Sequence, residues 1–91
     1  FNGDITHWDV SAVTTMVELF SGASVFNQDI GAWETGEVTN VDFMFLNAKT
    51  FNQDLSGWCL ENVEGPTFSF SSGADAWSEA HKPSIGQPCP P

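Results

Sequence analysis

Apolar side chains return along this chain on a fixed period. Aligned at an offset of 25, the stretches 1–25, 26–50 and 51–75 agree at six places. These are Phe1, Phe26 and Phe51; Asn2, Asn27 and Asn52; Asp4, Asp29 and Asp54; Trp8, Trp33 and Trp58; Val13, Val38 and Val63; and Phe20, Phe45 and Phe70. Ile5, Ile30 and Leu55 keep a seventh place aliphatic. Within the first stretch, Ile5, Trp8, Val10 and Val13 follow an L-x-x-L-x-L spacing, repeated by Leu55, Trp58, Leu60 and Val63. A period of about 20–29 residues lies in the leucine-rich-repeat range. Alternation around Trp8 predicts a short strand with Trp8 and Val10 inward and His7, Asp9 and Ser11 outward.

The period then changes. Met16, Leu19, Phe20 and Ala23 stand at i, i+3, i+4 and i+7, as do Val41, Met44, Phe45 and Ala48, which predicts a short helix in each stretch. Thr14–Thr15 and Thr39–Asn40 offer N-caps, and the "SGAS" after Phe20 offers a stop. One strand–turn–helix unit cannot bury its own faces, but stacked units cover one another. The expected fold is therefore an α/β repeat: a short right-handed leucine-rich-repeat-like solenoid of three coils, 1–25, 26–50 and 51–75. Residues 76–91 are expected to form a capping tail, since they leave the period and hold four of the five prolines.

Stacking sets expectations for the recurring polar residues. Asn2, Asn27 and Asn52 are expected to form an amide ladder that satisfies backbone groups at a bend. Asp4, Asp29 and Asp54 would lie about 5 Å apart, the strand spacing. Such a row needs either backbone N–H donors or a shared cation, so turn acceptors and a Ca²⁺-binding edge are both open readings. No other cofactor is implied.

The phrase F-N-[QG]-D-[IL]-x-x-W, followed by V-T-x-M and a closing F-x-x-A, resembles the BspA-like repeats of the DUF285 group, relatives of leucine-rich repeats in bacterial surface proteins. The resemblance covers residues 1–75, and "LSGWC…KPSIGQPCPP" is similar to the segment that closes such arrays. It implies a secreted or surface-anchored module, sometimes adhesive, with no common enzymatic activity and no catalytic residue to carry over. The chain departs from the pattern at Thr35-Gly36-Glu37 and where Gly65-Pro66 replaces a helix start.

Composition narrows the function. Two Lys, no Arg and twelve acidic residues give a net charge of −10, which excludes a phosphate-binding surface and so nucleic acid. The apolar runs are too short to span a bilayer. Cys59 falls at an outward position of the predicted strand and Cys89 in the tail, so a Cys59–Cys89 disulfide would fold the tail across the strand face. It implies an extracellular or cell-surface location, or another oxidising compartment such as a periplasm or organelle lumen. Zinc is the rival reading, though neither Cys nor His has zinc-site spacing.

No serine stands in a G-x-S-x-G turn, and nothing joins His7 or His81 to a nucleophile, so no enzyme is expected. Binding and assembly remain. The leading expectation is protein–protein recognition or adhesion along a face holding Thr6, His7, Asp9, Glu34 and Ser56, with small side chains and no outward aromatic anchor. The alternatives are an end-cap or accessory subunit, whose open N-terminal edge meets neighbouring repeats or a protein partner, and a calcium-stabilised surface repeat. The start at Phe1, in phase with the repeat, suggests a piece of something longer.

Overall fold

Backbone N–H groups between residues 16 and 23 alternate between two kinds of partner. Those of Met16, Glu18, Phe20 and Gly22 donate to the carbonyls of Asn40, Asp42, Met44 and Leu46, at 2.7–3.0 Å. Those of Leu19, Ser21 and Ala23 turn back to Met16, Glu18 and Phe20, three residues earlier. The next stretch repeats the scheme: Phe43, Phe45 and Asn47 donate forward to Phe68, Phe70 and Ser72, while Met44, Leu46 and Ala48 close turns on Val41, Phe43 and Phe45. An α-helix sends every interior N–H four residues back, and a strand sends none to its near neighbours. The alternation belongs to neither.

The expected strand–turn–helix solenoid is therefore overturned. In the computed structural model, which describes residues 3–89, the chain has one single-turn 3-10 helix, Glu79–His81, and no sheet among the described residues. Two isolated parallel bridges, Thr15–Asn40 and Leu60–Ile85, are the nearest approach to strand pairing. The helix expected at 16–23 fails because Glu18 and Gly22 have φ of 60° and 73°, and the one at 41–48 because Phe43 and Asn47 both have φ of 60°. A left-handed residue costs an L-amino acid about 1–2 kcal/mol and ends a right-handed helix wherever it occurs. The strand expected around Trp8 has no ladder, because the Trp8 and Val13 N–H groups close turns on Ile5 and Val10.

Left-handed residues recur at Glu18, Phe43 and Ser69, and again at Gly22, Asn47 and Gly73. The second interval in each series is one residue longer than the first, so an additional residue enters between Val63 and Ser69, the stretch that contains Gly65 and Pro66. As a result Phe70 takes the backbone place of Leu19 and Met44, not of Phe20 and Phe45. Trp77 closes a turn on Ala74 as Phe26 does on Ala23 and Phe51 on Ala48. The tail thus resumes the pattern one residue late, with an indole in a phenyl slot.

The outcome is a compact stack of turns measuring 30 × 27 × 22 Å. Its core is a column of rings. Phe26 stacks on Phe51 at 5.6 Å, Phe20 on Phe45 at 5.4 Å, and Trp77 closes the column edge-on against Phe51 at 5.0 Å. Trp33 stacks on Trp58 at 6.3 Å, and their indole N–H groups donate to the buried carbonyls of Ile5 and Ile30. Each buried phenyl contributes about 1.5–3 kcal/mol from area alone. Cys59 and Cys89 are joined in a disulfide that ties the tail to the third layer.

Candidate recognition site

The recurring acids are built into the bends. Asp4, Asp29 and Asp54 each turn a carboxylate oxygen onto the N–H two residues on, at Thr6, Gly31 and Ser56, over 2.9–3.0 Å. Asp9 does the same with the N–H and hydroxyl of Ser11. Hydrogen bonding of this kind favours the charged form. It lowers the Asp4 carboxyl through the Thr6 N–H first, the Asp9 carboxyl through the Ser11 hydroxyl, and the Asp54 carboxyl through the Ser56 hydroxyl. Among the described residues, the group of three ligand-type side chains that converges is Cys59, Glu61 and Cys89, and its sulfurs are committed to the disulfide. The Asp row forms no such group.

The asparagines join one bend to the next. Asn27 Oδ1 accepts the Asn52 N–H at 2.9 Å, and Asn52 Oδ1 accepts the Ser78 N–H at 3.1 Å. Asn2 lies outside the described residues. Of the residues assigned to a binding face, His7, Asp9, Glu34 and Ser56 are exposed and Thr6 is half-buried. Thr6 shares a shallow depression with Asp4, Asn27 and Asp29, which the other four do not line.

A different surface stands out. Trp33 and Trp58 are 5 % and 2 % exposed, whereas Trp8, at the same place in the first layer, is 54 % exposed. Leu19 is 47 % exposed where Met44 is fully buried. Between them opens an apolar cavity of about 440 Å³, walled by Ile5, Trp8, Val10, Met16, Leu19 and Phe20. The expectation of no outward aromatic therefore fails at Trp8, and also at Phe68, which is 56 % exposed. Tryptophan stands at 8, 33 and 58 alike, so the repeat itself carries no mark of the difference in their exposure. The signal lay in position: the slot that buries Trp33 is made by the layer before it.

These features define a sequence-repeat protein whose units share a column of aromatic rings. Over residues 1–82 the chain matches the family described as "Mycoplasma protein of unknown function, DUF285", and it belongs to that family. No curated protein and no solved structure matches it significantly. The Cys59–Cys89 disulfide suits an oxidising environment, and among the described residues no helix is long and apolar enough to cross a membrane.

Proposed function

We propose that this chain is a non-enzymatic module for protein recognition or assembly, working outside the cytosol, at a cell surface or in a secreted protein. The observation that carries the reading is the apolar cavity at the first layer, with Trp8 and Leu19 exposed beside it. A cavity walled by aromatic and aliphatic side chains is what a partner's anchor residue fills. Adhesion along the Thr6, His7, Asp9, Glu34 and Ser56 face has less support, since those side chains are polar and only Thr6 among them lines the shallow depression. A calcium role for Asp4, Asp29 and Asp54 is also less favoured, because one oxygen of each carboxylate is engaged by a backbone N–H and the three do not converge into a ligand group among the described residues.

Selection of a displayed random-peptide library against the immobilised, oxidised chain tests this. Peptides with aromatic or branched aliphatic anchors should be enriched, and their binding should fall when Leu19→Glu places a charge at the cavity mouth. Peptides that bind the Leu19→Glu chain as well as the parent would remove the cavity from the argument.

A further inference from the structure

The stack has a direction, and it decides what the first layer can pair with. Along residues 16–22 and 43–47 the earlier layer gives N–H groups and the later layer gives carbonyls, although just before the first of these runs the Thr39 N–H donates back to the Thr14 carbonyl. Glu18, Phe20 and Gly22 donate to Asp42, Met44 and Leu46, and Phe43, Phe45 and Asn47 donate to Phe68, Phe70 and Ser72. In the first layer the carbonyls in the corresponding places are those of Val17, Leu19 and Ser21. Among the described residues they accept no hydrogen bond, although the N–H groups that follow each of them are already spent on the second layer. Leu19 and Ser21 also wall the apolar cavity. The end is thus a row of acceptors at every second residue, running beside an apolar opening.

We infer that this end takes a polypeptide segment of the same turn type as residues 41–47, lying parallel to residues 15–22. It offers N–H donors at alternate positions and places an apolar side chain in the cavity. The two junctions already present are the template, and the proposal extends them by one layer. It rests on the recognition reading above and adds what the partner must bring. It also sets a negative rule. Two copies of this chain meeting end to end through the same surface would set carbonyl against carbonyl, so the end does not serve as a self-complementary dimer contact. Carbonyls covered without donors would forfeit their hydration, which is a cost that a donor-bearing partner avoids.

The test uses the oxidised, ¹⁵N-labelled chain and an unlabelled synthetic peptide with the sequence of residues 26–50. A second peptide carries N-methyl groups on the residues equivalent to Phe43 and Phe45. The plain peptide should move the Trp8 indole signal and the amides of residues 17–21. The N-methylated peptide should bind at least about tenfold more weakly, as expected for two missing hydrogen bonds. Equal binding by both peptides, with Trp8 shifted, would overturn the donor rule while leaving the cavity as a recognition site. No shift with either peptide would overturn the inference itself, and the library selection would then judge the recognition reading separately. Sedimentation of the chain alone gives an independent check: a dimer that Leu19→Glu abolishes would contradict the negative rule.

Discussion

Replacing Glu18 by glycine separates the two accounts of residues 16–23 by the sign of one number. Glu18 is exposed, has φ of 60°, and contributes backbone bonds to Asp42 and Ser21 that any residue could make. Glycine relieves a left-handed strain of about 1–2 kcal/mol. It returns about 0.5–1 kcal/mol as greater freedom of the unfolded chain. The net gain is about 0.5–1 kcal/mol, or roughly 2–8 °C in Tm for a domain of this size. In a helix the same change would lose about 1 kcal/mol. Glu18→Ala sharpens the contrast, since alanine is the best helix former but keeps the left-handed strain. Thermal and urea unfolding of the three proteins should therefore rank Gly above Glu, with Ala level with Glu. A ranking of Ala first and Gly last would refute the stack of turns at this point in the chain.

Thr35→Val removes the hydroxyl that donates to the Cys59 carbonyl at 2.9 Å from a side chain only 2 % exposed, and should cost about 1–3 kcal/mol by urea unfolding. Cys59→Ser with Cys89→Ser opens a ring with a sequence separation of 30 and should lower stability by roughly 3–4 kcal/mol, read as the difference between oxidised parent and variant. The lowered carboxyls of Asp4, Asp9 and Asp54 set the acid limb. Their contribution is fully present above the unfolded value near pH 3.9 and is lost as pH falls through the still lower folded values. Stability should thus decline below about pH 4, and Asp9→Asn should flatten that decline in unfolding midpoints taken across the acid range.

The sequence carried the periodicity plainly but not the backbone that realises it. Phe26, Phe51, Trp33 and Trp58 are buried because the same slot recurs in each layer, and repeated identities report repeated slots. Secondary structure was misread because i, i+3, i+4 spacing of buried residues also arises from successive turns. Gly22, Asn47 and Gly73 are types that accept positive φ, so one left-handed series was open to reading. Glu18, Phe43 and Ser69 include no residue that announces such a conformation. Phe70 misled in a further way: it matches Phe20 and Phe45 in sequence at an offset of 25, yet the additional residue before it puts it in Met44's place. The disulfide was legible because two cysteines in a repeat-and-tail pattern leave few arrangements. An open N-terminal edge was an expectation, but the exposure of Trp8 and Leu19 was not, because exposure depends on which layer a residue occupies and not on its identity.

The ring closed by Cys59 and Cys89 also has a mechanical meaning. Tension pulling the chain from its two sides reaches only the residues outside that ring, because the load passes directly from one sulfur to the other. The sequence separation of 30 corresponds to about 100 Å of extended chain that the load cannot draw out while the bond is intact. Under force the first two layers and the start of the third would yield first, and the tail would remain folded back on Cys59. A reductant would then act as a release, lengthening the tether by that distance.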